Sequence, residues 1–400
     1  MEQLLVGIDI GCRRHRVAVG MPDGTVIDQF DLDHQPTSFD EFFLRVGKQA
    51  AKLKLSVSVG MEGYGGWARP LDEMVIGKGW KLLNVNNLKL ARYKEIFPSP
   101  AKTDAIDARK ILELMRLRPL LPQAKEILNE VIPAPQVNHE MKLLTRRRRQ
   151  LVNERTMLSN RMHSNLQAIA PGLLEITGSM DNAWFLNLLT ARDSFDQLVR
   201  MRKASLLKIK GVGQKYAALI RVWQKTAILS SDVLLVGDMV TEDAKRVRAL
   251  ADKIKQLETK LQELMPQSAL AAVIESITGF GLVSATELAG EIGAIERFTS
   301  ESALARYIGM APLDNSSGVY TGSKGGKQTN RRAKAAMMVA VVRHYWHTPE
   351  SKKYYEKKRA EGKRHNQAVR SLGRHLTRVI WSLVKNNRLY VRKEKISEIA

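Results

Sequence analysis

The sequence predicts an α/β domain at the start of the chain and a mainly helical remainder, a multidomain α/β plus α protein. Three patterns predict it: short apolar runs broken by turns at the start, heptad-spaced apolar residues in the middle, and helical spacing around one polar loop near the end. Leu4 to Asp9 and His15 to Gly20 read as strands separated by a turn at Gly11, and Thr25 to Phe30 as a third strand after Asp23-Gly24. Phe39, Phe42, Phe43 and Val46 then recur at helical spacing between Ser38 and about Leu53. Ser56 to Met61 is a strand, Trp67 to Ile76 a helix, Lys81 to Val85 a strand and Thr103 to Leu117 a helix, with Pro119 and Pro122 as punctuation. Three antiparallel strands followed by alternating helices and strands is the order expected of an RNase H-like domain.

In the middle, Leu144, Leu151 and Leu158 recur every seven residues and are continued by Met162, Leu166 and Ile169. Val240, Ala244, Val247, Ala251, Ile254, Leu257, Leu261 and Leu264 step by threes and fours. The two stretches predict a central coiled coil, its helices packed on each other, on a second subunit, or both; a surface helix on a bundle is the blander reading. Between them, Pro171 to about Leu235 is a small helical piece. From about Ser268 the chain is helical, with a Gly-, Ser- and Lys-rich loop from Pro312 to Thr329 and helices over Asn330–Trp346 and Asn366–Asn386. The expected domains are therefore 1–125, a coiled-coil region over 126–267 with an insertion at about 171–235, and 268–400.

Charge bounds the function. Lys and Arg number 64 against 41 Asp and Glu in 400 residues, a net charge of +23 that calls for a polyanionic partner, most often nucleic acid. A membrane surface would also attract it. The longest purely apolar stretch, Ala335 to Val342, is far short of the roughly 20 residues that span a bilayer. The first residues lack the pattern of a signal peptide and read as a strand. Cys12 is the single cysteine, which excludes an internal disulfide framework and a cysteine-rich zinc site; near Asp9, it reads as a buried free thiol. A cytoplasmic protein facing nucleic acid is expected.

Asp9 ends the first strand in Gly7-Ile8-Asp9-Ile10-Gly11, and Glu62 ends the fourth in Met61-Glu62-Gly63. Asp104 and Asp107, i and i+3 near a helix start, project from one helical face. First and fourth strands are neighbours in an RNase H-like sheet, so Asp9 and Glu62 would lie side by side. Four converging carboxylates repel one another without cations, and hard oxygen donors select Mg²⁺ or Mn²⁺. Two such ions about 3.5–4 Å apart clamp the attacking and leaving oxygens of a phosphodiester. Each acid alone has a plainer role, Asp104 or Asp107 as a helix cap and Glu62 as a turn residue; a sugar kinase or actin-like ATPase also opens with an Asp-x-Gly turn. The ordered combination is the specific signal.

Met61-Glu62-Gly63-Tyr64-Gly65-Gly66-Trp67-Ala68-Arg69-Pro70-Leu71 and Lys102-Thr103-Asp104-Ala105-Ile106-Asp107-Ala108 resemble the two hallmark segments of DEDD transposases. These are insertion-sequence recombinases of the IS110 family, related to the Piv DNA invertases. Ile277-Thr278-Gly279-Phe280-Gly281 through Gly290-Glu291-Ile292-Gly293 and Arg297-Phe298 resembles the start of that family's second domain. Tyr307-Ile308-Gly309-Met310-Ala311-Pro312, followed by Ser316-Ser317-Gly318, resembles its serine-bearing loop. The resemblance implies a RuvC-like first domain whose four carboxylates hold the metal, and a serine, Ser317 with Ser316 the adjacent alternative, that attacks DNA to form a phosphoseryl link. It also implies a bispecific bridge RNA as guide and a homo-oligomer, dimer or tetramer, in which one subunit's carboxylates meet another's serine. Residues Pro171 to Leu235 match no motif of the family.

Around the serine loop no acidic residue lies between Asp314 and Glu350, while Lys324, Lys327, Arg331, Arg332 and Lys334 do, a surface suited to phosphates. Arg146, Arg147, Arg148 and Arg149 run around a helix and suggest further backbone contact. The Gly-x-Gly turns at Gly211–Gly213 and Gly279–Gly281 resemble helix-hairpin-helix contacts. No metal-ligand spacing links the histidines, so His15, His163, His344 and His347 read as surface or core residues. Three rival functions remain: a RuvC-like junction nuclease using water, which has no need of Ser317; a Piv-like invertase without guide RNA; and an architectural DNA-binding protein, against which the four intact carboxylates argue.

Overall fold

A computed structural model describes residues 2–96, 104–121, 127–319, 322–326 and 329–391, apart from the side chains of Lys94, Ile96, Asp104 and Ser323. The chain divides into two compact units, Met1–Pro133 and Ala134–Ala400.

The first unit is a mixed sheet with helices on both faces. Its elements are β1 (Gln3–Asp9), β2 (Arg14–Gly20), β3 (Val26–Asp33), α1 (Pro36–Leu53), β4 (Ser56–Glu62), α2 (Arg69–Gly77), β5 (Lys81–Val85), α3 (Asn87–Ile96), α4 (Asp104–Leu117) and β6 (Leu128–Glu130). The six strands lie in the order β3-β2-β1-β4-β5-β6. β1, β2 and β3 form an antiparallel meander, β1–β4 and β4–β5 are parallel, and β6 closes the far edge antiparallel. The alternation of strand side chains sorts β1 between two cores. Leu4, Val6 and Ile8 pack with Phe39, Phe42, Phe43 and Val46 of α1, whereas Leu5 lies on the opposite face with Ile111 and Leu112 of α4. On β4, Val57, Val59 and Met61 belong to the α1 side in the same way.

The second unit is organised by two long helices, α5 (Gln136–Ile169) and α11 (Val233–Leu264). Arg148 pairs with Glu258, Glu154 with Arg246 and Arg161 with Asp243, so the two helices run antiparallel along each other. The heptad residues Leu151 and Leu158, with Met162, Leu166 and Ile169, are buried against Val240, Ala244, Val247 and Ile254. Between the two helices, α6 (Leu173–Thr177), α7 (Ala183–Leu189), α8 (Phe195–Val199), α9 (Lys203–Leu206) and α10 (Gln214–Thr226) close over that core. A second core takes Met141 and Leu261 from the other end of the pair. It is completed by α12 (Ala269–Glu275), α13 (Leu282–Ile292), α14 (Glu301–Tyr307), a hairpin of β7 (Pro312–Asp314) and β8 (Ser323–Gly325), then α15 (Arg331–His347), α16 (Pro349–Ala360) and α17 (His365–Lys385). Among the described residues no helix is long and apolar enough to cross a membrane.

Periodicity misses α3 and α16, for a physical reason. Helix α16 buries none of its residues, so its sequence carries no apolar stripe, and among the described side chains of α3 only Leu90 is buried. The polar loop is also less irregular than its composition implies, because Pro312–Asp314 pairs with Ser323–Gly325.

Candidate active site

The sheet brings Asp9 and Glu62 together. β1 and β4 are adjacent and parallel, in register through Ile8 opposite Met61, and Asp9 and Glu62 are the next residue of each strand. Alternation places both on the face opposite Ile8 and Met61, which is the face that α4 covers. Helix α4 approaches very closely there. A Cβ on Gly7 would lie 2.5 Å from the Ala108 carbonyl, and one on Gly60 would lie 2.7 Å from the Met115 sulfur. The sheet is thus cut away under the helix, with Ala108 against Gly7 of β1, two residues before Asp9, and Ile111 and Met115 against Gly60 of β4; Asp104 and Asp107 lie in the turn of α4 that precedes Ala108. The described carboxylates Asp9, Glu62 and Asp107 all have interaction partners, and the Asp104 side chain lies outside the described residues. Among the described residues no three His, Cys, Asp or Glu side chains form a ready-made metal cage. The donor set at this edge is oxygen only, which suits a hard divalent cation.

The loop leaving Glu62 is held from below. The Gly65 amide donates to Asp72 Oδ2 at 2.8 Å and the Tyr64 amide to Asn84 Oδ1 at 3.0 Å. Asp72 is 2% exposed, and burial, against the Gly65 hydrogen bond, pushes its carboxyl up to about 6. A carboxyl raised on folding binds its proton more tightly in the folded state, so stability falls as pH rises from about 4 to 6 and stays lower above. The pH dependence of urea unfolding should therefore show a loss approaching about 3 kcal/mol between pH 4 and 7, the equivalent of the full shift. Asp72→Asn should remove that component; an unchanged profile would show that Asp72 does not titrate in this range.

In the second unit, Ser316 and Ser317 are both exposed between β7 and β8. The two ends of this hairpin segment are tied to one buried group, Glu291 on α13. Arg146 of α5 donates to both Glu291 carboxylate oxygens, at 2.7 and 2.9 Å. Asn330, the N-cap of α15, donates to Glu291 Oε2 at 2.7 Å and to the Tyr307 hydroxyl at 2.8 Å, and that hydroxyl donates to the Glu291 carbonyl at 2.7 Å. Tyr307 precedes the serine loop and Asn330 follows it. Burial opposes the Glu291 charge, yet the hydrogen bonds from Arg146 and Asn330 and the Arg146 charge hold its carboxyl below the usual range. Glu291 lies within a segment that carries the family resemblance, but nothing in the sequence distinguishes a buried clamp from a helix-surface acid.

The basic candidates divide. Arg146 and Arg149 are held in bidentate pairs by Glu291 and Glu287, and Arg148 pairs with Glu258; Arg147 is exposed. Lys324, Arg331 and Arg332 are exposed, Lys334 is half-buried with its stem against Gly309, and Lys327 lies outside the described residues. Helix α16 adds exposed Lys352, Lys353, Lys357 and Arg359, which the run of basic residues beginning at Lys352 could have flagged.

Other expectations resolve simply. Cys12 is exposed, not buried, because it lies in the turn between β1 and β2. His15 is a core residue: burial and the neighbouring His34 lower it to about 4, and its Nε2 meets His34 Nδ1 at 3.0 Å. His344 is buried between the Thr278 carbonyl and Ser351, while His163 and His347 are exposed. The turn at Gly279 has an internal role, since a Cβ there would lie 2.4 Å from the His344 amide.

Two family models match the chain. The DEDD_Tnp_IS110 model, described as transposase, matches residues 6–171, and that of the transposase IS116/IS110/IS902 family matches residues 271–356. An IS110 "uncharacterized 43.6 kDa protein" of Streptomyces coelicolor is 25% identical over 97% of this chain and 95% of its own length. An IS116 "uncharacterized 44.8 kDa protein" of Streptomyces clavuligerus is 24% identical over 100% and 99%. The pilin gene-inverting protein of Moraxella bovis is 26% identical over 36% of this chain and 46% of its own length. Fold, site and matches define the class as a transposase. The chain belongs to the IS110 family.

Proposed function

We propose that the chain is a Mg²⁺-dependent DNA transposase of an insertion sequence that cuts and rejoins strands through a serine–DNA intermediate and is guided by a bridge RNA. The observation that carries the reading is the placement of Asp9 and Glu62 at the ends of adjacent parallel strands, on the sheet face that α4 covers. The first unit would be an RNase H-like catalytic domain in which Asp9, Glu62, Asp104 and Asp107 hold the ions. Bound Mg²⁺ (or Mn²⁺) would polarise the phosphodiester and offset its charge. Ser317 Oγ, or Ser316 in its place, forms a bond to phosphorus as the bond to the departing strand breaks; the serine gives up its proton and the departing strand leaves as an alcohol. Attack by the hydroxyl of the exchanging strand reverses the step and frees the serine, so the phosphodiester is never hydrolysed. The basic residues Lys324, Lys327, Arg331, Arg332, Lys334 and exposed Arg147 would contact nucleic-acid backbone, and the helix pair α5–α11 would act as a coiled coil in an oligomer.

A denaturing gel of protein, Mg²⁺, co-expressed RNA and labelled element-junction and target DNA tests this. Wild type is expected to give a protein-linked DNA band that is lost in Ser317→Ala and kept in Ser316→Ala. Cleaved DNA without an adduct, unchanged in both variants, would instead indicate a water-using nuclease. The match to pilin gene-inverting proteins favours one second reading, a Piv-like invertase without guide RNA, for which the same adduct would form in RNA-free protein.

A further inference from the structure

The loop between β4 and α2 has a feature that metal-ion chemistry does not use. The chain leaves Glu62 through Gly63 and Gly65, both at positive φ (68° and 71°), and turns back before α2. Four hydrogen bonds fix this short turn: Gly65 N to Asp72, Tyr64 N to Asn84, Gly66 N to the Gly63 carbonyl and Arg69 Nε to the Gly65 carbonyl. A buried carboxylate is thus committed to shaping a surface loop. On that fixed loop the Trp67 indole is 72% exposed and the Tyr64 ring 42% exposed. By contrast, Trp80 of the same unit packs on Phe42 and Phe43. Trp67 borders an open cleft of about 340 Å³ shared with His34, Gly66, Arg69, Pro70 and Glu73. Half of that lining, His34, Arg69 and Glu73, is polar or charged, unlike the apolar surround of a protein-docking hot spot. A rigid aromatic face beside a cation, on a chain of net charge +23, suits the flat face of a nucleobase.

We propose that Trp67 is the stacking platform for one unpaired base of the DNA strand held at the Asp9–Glu62 edge. The inference rests on the DNA-cleaving reading above and extends it to a separate residue. Glu62 is five residues before Trp67, so a strand crossing the carboxylates passes the loop, and a strand that is being exchanged carries unpaired bases whose faces are open to stacking. Stacking on an exposed ring is tolerant of sequence, which matches a protein whose specificity is assigned to a guide.

The test uses the full chain in EDTA, so that no strand is cut, with a short fluorescein-labelled oligodeoxythymidine and with an intact duplex. By fluorescence anisotropy, Trp67→Ala is expected to weaken oligodeoxythymidine binding about 5- to 100-fold, and Trp67→Phe to restore it to within about three-fold. Duplex affinity should change less than about two-fold in both. Circular dichroism and gel filtration of each variant should match wild type, since an exposed ring lies outside the core and a base platform is not a subunit contact. Oligodeoxythymidine binding unchanged in Trp67→Ala overturns the inference while leaving the transposase reading intact. So does a change in oligomeric size, which would mark Trp67 as a protein contact. A wild-type chain that binds neither probe fails the DNA reading itself, and the inference with it.

Discussion

Replacing Asp9 by asparagine is expected to lower DNA strand cleavage by roughly a hundred- to a thousand-fold or more while leaving DNA affinity within about two-fold. Asparagine keeps the size of the side chain and its place at the end of β1, but a neutral amide is a far weaker ligand for a hard cation than a carboxylate. Glu62→Gln should behave alike, because the two residues end neighbouring parallel strands and face the same helix. Binding should survive because the basic residues proposed to contact the backbone lie in the second unit, away from Asp9 in the chain. The measurement is a pair of assays on one preparation, cleavage of labelled junction DNA on a denaturing gel and anisotropy of the same DNA. Retained cleavage in Asp9→Asn would remove Asp9 from the catalytic set. Loss of both cleavage and folding, seen by circular dichroism, would make it a structural residue.

Replacing Glu291 by alanine is expected to cost about 2–4 kcal/mol of unfolding free energy. The Glu291 side chain is fully buried, and its removal leaves the Arg146 guanidinium without its bidentate partner and the Asn330 amide without an acceptor. The cost falls below that of breaking a fully buried pair because Arg146 is 37% exposed and regains water. Because its carboxyl is depressed on folding, the contribution of Glu291 is present above its unfolded value and is lost as pH falls through the folded one. Urea unfolding at neutral pH and at pH 3 should therefore show a difference between wild type and Glu291→Ala that shrinks in acid. A difference that persists unchanged at pH 3 would mean that packing, not charge, is what Glu291 contributes. With Tyr307 and Asn330 untied, the serine loop should also gain protease sensitivity between Gly309 and Asn330.

Much of the first unit was legible in the sequence. Strands β1, β2, β4 and β5 lie within a residue of where alternation and turns place them, since a half-buried sheet imposes a period of two on its residues. Helix α1 was equally legible, because one face carries Phe39, Phe42, Phe43 and Val46 into the core. The adjacency of Asp9 and Glu62 followed from strand order alone. Helix α16 was not legible, because a helix that buries nothing leaves no periodic trace. Nor were the partners of the Arg146–Arg149 run: a basic run reads the same whether it faces phosphate or carboxylate.

By itself, the sequence determined the class of the protein and the candidate chemistry, because four acids in fixed order and a Ser-Ser-Gly loop are properties of the chain. Only the tertiary structure decided which charges remain available. It committed Arg146, Arg148 and Arg149 to Glu291, Glu258 and Glu287, made Glu291 a clamp across the two ends of the serine loop, and fixed Trp67 on an exposed turn beside Glu62. Burial and pairing depend on residues far apart in the chain, so local pattern does not reveal them.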